Sequence, residues 1–271
     1  MGAETAGGLP PDPQGLRAFL QARPFVLKAA SVVVVLLIWE VYARQVDPIF
    51  LAAPSAIFRA FRDLVRSGEV FVQFGRSMVP FLYGLCISIV GGIIIGLAMG
   101  KYWAVEYVLD PLINALYGTP RVALIPLVML WFGLEASAKV VIVMSLAVFP
   151  IIINTYAGVR NVSPAHLEVA KAYGATDRQI FFKVLLPAAL PFIMAGVRLA
   201  TGLAIIGVVV AEFFTQIQGL GGMIVNYGNV FATAKMFVPI IVLAALGIGL
   251  TELVVRIERR LAPWQQGERV H

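Results

Sequence analysis

The chain has 271 residues, of which 60% are hydrophobic and only 13% charged, with a formal net charge of +6 and a mean hydropathy of +0.88. A soluble domain carries roughly 45–50% apolar and about 25% charged residues, so the composition excludes a soluble fold and describes an integral membrane protein. The positive charge does not point to nucleic acid, because the basic residues are spread through loops and tails rather than gathered on one face. Several apolar runs approach or exceed the roughly 20 residues a helix needs to cross a bilayer, and the short alternating pattern of a membrane barrel is missing. The expected fold is therefore all-α, a polytopic integral membrane protein with about six transmembrane helices. The single cysteine, Cys86, lies in an apolar run, where packing explains it better than chemistry.

In chain order, MGAETAGGLPPDPQG and the residues after it, to about residue 24, read as a cytoplasmic tail that precedes an uncleaved first span from about Phe25 to Ala43. Trp39 and Tyr42 near its far end suit the membrane interface. Over residues 47–75 the chain is mixed. Ser55 is placed to cap an amphipathic helix with Ile57, Phe58, Phe61, Leu64 and Val65 on one side and Arg59, Arg62, Asp63 and Arg66 on the other, a pattern expected to lie along the interface, with a peptide-binding surface as the alternative.

The second span, about Ser77 to Met99, carries Gly84, Ser88, Gly92, Gly96 and Gly100 four residues apart, a small-residue stripe that predicts close packing against another helix. Gly100 and Lys101 do not complete a phosphate loop, since position 95 is Ile and position 102 is Tyr. From Val105 to Phe132 the apolar run is interrupted by Pro111, Gly118, Pro120, Arg121 and Pro126, which predicts a bent or broken span. Such a span is tolerated only where the freed backbone faces protein or a water-filled cavity. Arg121 makes it a candidate pathway wall, with snorkelling to an interface as the alternative. The fourth span covers about Lys139 to Tyr156, with Pro150 as an expected kink.

Next comes a polar interlude, residues 163–187. Ser163 is expected to cap a helix whose first position is Pro164, and Gly174 to end it in the left-handed conformation. Thr176 and Gln179 form a capping box for a second short helix, and Pro187 predicts a break before the next apolar run. That fifth run, to about Phe214, contains Arg198 and Glu212. The linker 215–235 holds QGLGGM and suggests a turn with a short re-entrant or amphipathic piece. The last span covers about Met236 to Val255 and is followed by Arg256, Arg259 and Arg260. Six spans put both termini, Lys101 and the interlude on one side, and the balance of Lys and Arg makes that side cytoplasmic.

Within the interlude, Glu168, Val169 and Ala170, then Gly174, then Val184, Leu186 and Pro187 follow the E-A-A, three residues, Gly, nine residues, I-x-L-P pattern. In this the chain resembles permease subunits of bacterial ATP-binding cassette importers of type I. Val169 and Val184 are the two conservative departures. FLAAPSAIFRAF, PRVALIPLVMLWFGL, QGLGGMI and RIERRLAPW extend the resemblance to the nitrate, sulfonate and taurine branch, from Phe25 to Trp264.

The resemblance implies a transmembrane domain over about residues 71–258, preceded by the first span and external amphipathic segment at 25–70 and followed by a cytoplasmic tail at 259–271. It implies an ATPase-coupling helix involving Glu168, Val169, Ala170, Tyr173, Gly174, Ala175, Leu186 and Pro187. It further implies two permease copies in the lipid bilayer of the bacterial plasma membrane, a cytoplasmic ATPase dimer that holds ATP and Mg, and an extracytoplasmic solute-binding protein. No cofactor is expected on this chain itself, nor any bond chemistry. Arg121, Arg198 and Glu212 stand as candidate pathway residues, with helix-to-helix pairing as the alternative for the two arginines. A secondary transporter or channel is the rival class, but Glu40, Asp110, Glu212 and Glu252 lie mostly near span ends, and no internal repeat is evident. A membrane enzyme would need a catalytic constellation, and His166 and His271 are the only histidines.

Overall fold

A computed structural model describes residues 24–215 and 218–264, and every regular element among them is helical. The expected tail before residue 24, the basic residues Arg17, Arg23 and Arg269, and the end of the C-terminal tail lie outside the described residues. The elements are α1 (Pro24–Ala43), α2 (Pro54–Arg66), α3 (Glu69–Lys101), α4 (Trp103–Gly118), a 3-10 turn (Arg121–Leu124), α5 (Ile125–Phe132), α6 (Ala136–Arg160), α7 (Pro164–Ala172), α8 (Asp177–Ile180), a π-turn (Phe181–Leu185), α9 (Leu186–Phe214), α10 (Leu220–Asn229) and α11 (Thr233–Leu261). Five helical segments are long and apolar enough to cross a membrane: α1, α3, α6, the unbroken run Asp177–Phe214, and α11. The pair α4 and α5, bent by 88°, makes a sixth if counted as one span.

The small-residue stripe of α3 packs as its sequence predicts. A Cβ added at Gly84 would lie 2.6 Å from Val143, one at Gly92 2.8 Å from Ile151, one at Gly96 2.6 Å from Thr155 and one at Gly100 2.5 Å from Val159. Each partner lies 59 residues further along (84 to 143, 100 to 159), so ridges of fourfold spacing on α3 and α6 interlock in parallel register. Ser88, within the stripe, turns its hydroxyl back to the Gly84 carbonyl at 2.7 Å and so stays satisfied while buried.

Parallel packing of α3 and α6 decides what the bent pair does. Both helices begin at the same end of the bundle, so residues 102–135 must return from the Lys101 end to the Ala136 end. The pair therefore crosses the bundle as a broken span. The break falls at Gly118, Thr119 and Pro120, whereas Pro111 sits inside α4 without interrupting it.

Helix α9 packs antiparallel on α6: Gly158 meets Ala189 and Phe192, Gly196 meets Pro150, Ile151 and Asn154, and Gly207 meets Val143 and Leu146. Phe81, Val143, Ala147, Ile151, Ala200, Ala204 and Val208 form the central core of these three helices. Most of α1 is exposed apolar surface, as a lipid-facing span requires. It is joined to the rest by Trp39, whose ring centroid lies 5.6 Å from that of Phe237, and by Glu40.

Glu40 corrects the expected role of Ser55. The N-cap of α2 is Ala53, with Pro54 in the first turn. Ser55 donates its backbone N–H and its hydroxyl to the Glu40 carboxylate, at 3.0 and 2.8 Å. An acidic side chain from α1 thus stands at the N-terminus of α2, where the helix dipole favours negative charge. Ile57, Ala60 and Leu64 are the buried face of α2, while Phe58 is exposed.

Candidate functional site

The interlude between α6 and α9 is built as its local sequence dictates. Ser163 occupies the N-cap of α7 and Pro164 the first turn, but the serine side chain makes no capping hydrogen bond. At the other end the Ala175 amide donates to the Ala170 carbonyl at 3.0 Å and the Gly174 amide to the Lys171 carbonyl at 2.9 Å. This is a Schellman closure, and it places Gly174 at φ +71°, a conformation that a Cβ disfavours. The capping box is complete: the Gln179 amide donates to the Thr176 hydroxyl at 3.3 Å, and the Thr176 amide to Gln179 Oε1 at 2.8 Å. Thr176→Ala is expected to cost about 1 kcal/mol, read as a lowered thermal midpoint of the purified chain.

Pro187 does not break the chain away from the next span, contrary to the sequence expectation. The helix runs on from Asp177 to Phe214. A π-turn over Phe181–Leu185 lies just before the proline, with the Leu186 amide donating to the Phe181 carbonyl five residues back. The wider turn accommodates a ring that would otherwise press on the carbonyl four residues earlier.

No residue of α7 is buried. Val169 and Tyr173 are 56% and 88% exposed, and, four residues apart, they form an apolar ridge on one face. Exposed Glu168 stands beside it and makes no hydrogen bond or ion pair among the described residues. Leu167, Ala170 and Ala175 are half-buried, and Leu186 and Pro187 lie half-buried in the first turn of α9. The end of α3 touches this region through Lys101, whose ammonium is 4.7 Å from the Phe181 ring centroid.

The other candidates are dispersed. Arg121, at the break of the broken span, lies 5.0 Å from the Tyr117 ring centroid and 5.4 Å from that of Phe149. Its guanidinium points to the Ser145 and Leu146 carbonyls at 3.4 and 3.5 Å. Pro150 has no N–H to offer Leu146, so the arginine meets a carbonyl that the helix itself leaves open. Arg198 forms an ion pair with Glu258 of α11, so its charge is met between helices.

Glu212 is fully buried; it accepts from the Ser77 hydroxyl at 2.7 Å and from the Gly221 amide at 2.7 Å, with the Lys139 charge nearby. Leu220 donates its amide to Ser77 Oγ at 2.8 Å, and Gly219 donates to Gln73 Oε1 at 2.7 Å. Three side chains from α3 and α9 thus cap the N-terminus of α10. The QGLGGM stretch carries the trace of this arrangement, since a Cβ at Gly219 would lie 2.0 Å from the Glu212 carboxylate and one at Gly221 2.9 Å from it.

Sequence reasoning missed Gln73 and Ser77 here, and also the cluster at the opposite end, where Tyr156 donates to Glu106 at 2.5 Å and Arg160 approaches the same carboxylate at 3.7 Å. Tyr227 on α10 donates to Glu69 at 2.8 Å; burial, helped by that carboxylate, pushes its phenol up to about 12, so it stays protonated. Among the described residues no cluster of His, Cys, Asp and Glu could hold a metal ion.

Comparison with known proteins assigns the machine. Residues 88–263 match the family described as binding-protein-dependent transport system inner membrane component. SsuC of Bacillus subtilis strain 168, named for aliphatic sulfonates transport, is 34% identical over 275 residues, covering 98% of each chain. The formylaminopyrimidine transport permease ThiX of Halalkalibacterium halodurans is 34% identical over 232 residues, 85% of this chain and 92% of that one. The taurine transport system permease TauC of Escherichia coli K12 is 30% identical over 252 residues, 90% and 91%. Among solved structures, an amino acid ABC transporter superposes with a TM-score of 0.57 at 18% identity, over 75% of this chain and 97% of that one. The methionine transporter MetNI gives 0.54 at 21%, over 71% and 94%. The chain belongs to the family of membrane permease subunits of binding-protein-dependent ABC importers.

Proposed function

We propose that two copies of this chain form the translocation pathway of an importer for a small organic or inorganic anion such as a sulfonate, taurine or nitrate, or for a pyrimidine or vitamin precursor. A cytoplasmic ATPase dimer docks on α7, and an external solute-binding protein delivers the cargo. The interlude and both termini face the cytoplasm. The observation that carries the reading is the ridge of Val169 and Tyr173 beside unpaired Glu168, outside the spans and at the end of the helix that runs to Phe214. Exposed apolar side chains within a span face lipid, but on a polar segment beyond the membrane they suit a protein surface. Gly174, Ala175, Leu186 and Pro187 set the angle at which that ridge meets the span, and Ala170 leaves space for close approach. ATP and Mg reside on the partner, and closure of the ATPase dimer would draw the two α7 helices together.

The test is co-purification of this chain with its cognate ATPase, and hydrolysis in liposomes that rises when the loaded binding protein is added. Recovery of the permease without any ATPase, with uptake intact, would overturn the reading. Cargo is identified by a ligand screen of the cognate binding protein across sulfonates, nitrate and pyrimidine precursors.

Of the three pathway candidates, Arg121 is the one we retain. Arg198 and Glu212 are committed to Glu258 and to the cap of α10, whereas the Arg121 charge is met by carbonyls and ring faces at a break in a span. Arg121→Leu is expected to lower uptake of an anionic cargo about tenfold while the ATPase still assembles, measured with labelled substrate in proteoliposomes.

A further inference from the structure

We infer that Glu212 is a positioning residue through which the helix rising from the coupling segment holds the outer helix α10, so that displacement of one moves the other. The inference rests on the coupling role proposed for α7. Its first support is the continuity of the helix. The 38 residues from Asp177 to Phe214 run without a break, about 57 Å at 1.5 Å per residue, against a bilayer core of about 30 Å. The capping box of Thr176 and Gln179 stands at one end, directly after the Gly174 elbow, and Glu212 stands at the other.

The second support is the chemistry of the joint. Both Glu212 oxygens accept, one from the Ser77 hydroxyl and one from the Gly221 amide, and the side chain is sealed from solvent. Pulling α10 away would strip the buried carboxylate of its Gly221 donor and leave Ser77 of α3 as its hydrogen-bond partner, while the Leu220 and Gly219 amides would lose Ser77 Oγ and Gln73 Oε1, a greater cost than separating apolar surfaces in lipid. The glycines at 219 and 221 leave no side chain between the carboxylate and the backbone it holds. A glutamine would keep an acceptor for the Gly221 amide but would lose the negative charge and force the Ser77 hydroxyl to turn from donor to acceptor at this joint, which weakens both bonds.

The third support is what α10 carries at its far end. Val230 and Phe231 are exposed there, and Phe231 adopts φ +55°, a left-handed conformation unusual for a bulky residue. A helix clamped at one end by Glu212 and exposing two apolar side chains at the other suits a lever between the spans and an external partner.

Hydrogen exchange tests this on the complete transporter in lipid nanodiscs, with and without a non-hydrolysable ATP analogue. In the unaltered protein, exchange over Leu220–Asn229 is expected to differ between the two states. In Glu212→Gln, and more mildly in Ser77→Ala, that ATP-dependent difference disappears, although the ATPase still protects Pro164–Ala172. Basal exchange of the first α10 amides rises about tenfold.

A cap with a structural role alone would raise exchange equally in both states and leave the ATP-dependent difference in place, which overturns the inference. So does an α10 that ignores ATP in the unaltered protein while Pro164–Ala172 is protected. If the ATPase leaves Pro164–Ala172 unprotected, the coupling reading fails, and the inference falls with it.

Discussion

Gly96→Ala is expected to lower the stability of the folded chain by about 3 kcal/mol, while Gly91→Ala, five residues earlier in the same helix, leaves it unchanged or slightly raised. The added methyl group at position 96 would lie 2.6 Å from Thr155 Cβ and 2.7 Å from the Ile152 carbonyl oxygen. The second neighbour is backbone and cannot rotate aside, so α3 and α6 would have to separate. Because the two helices interlock along the whole stripe, separation at one position loosens the contacts at Gly92 and Gly100 as well. Position 91 has no heavy atom within 4 Å of the new Cβ, and there alanine only improves helix propensity. Thermal unfolding followed by size-exclusion recovery in detergent distinguishes the two variants. Equal midpoints would show that the close approach of α3 and α6 does not hold the bundle together.

Glu168→Lys is expected to weaken association with the ATPase about a hundredfold, roughly 3 kcal/mol, and to reduce uptake to background. Glu168 is exposed and has no partner among the described residues, so its loss removes nothing from the chain's own stability. On the proposed docking, the substitution would remove a charge-assisted hydrogen bond to a donor on the ATPase and would place a like charge against that donor instead. The stability of the isolated chain, read from its thermal midpoint, is the control and should stay within about 0.5 kcal/mol of that of the unaltered protein. Unchanged assembly and uptake would remove Glu168 from the docking surface and leave the apolar ridge of Val169 and Tyr173 to account for it.

The features readable from sequence share one property: each is decided within a few residues. Span positions follow from apolar runs. The α3 stripe follows from its fourfold spacing, the Gly174 turn from the absence of a side chain, and the Thr176 and Gln179 box from their separation along one turn. Where a local rule met a neighbouring element, it failed. Ser55 has the right chemistry for an N-cap, but Pro54 begins the helix one residue earlier and Glu40 of α1 claims both serine donors. Pro187 ordinarily disrupts a helix, yet a π-turn absorbs it because α9 is fastened to α6 along its length.

Charged groups were the least legible, because a charge inside a span identifies a need and not the partner that meets it. Hydrophobic length and capping are local matters, so the order of residues is enough to specify a multi-pass helical protein with a capped, polar two-helix segment between two spans. Helix packing was needed to establish that the broken pair crosses the bundle, that Arg198 pairs with Glu258, and that Glu212 joins Ser77 of α3 to Gly221 of α10. Those outcomes join residues 60, 135 and 9 positions apart, and in a medium without water a buried charge takes whichever partner the packing of the helices brings to it.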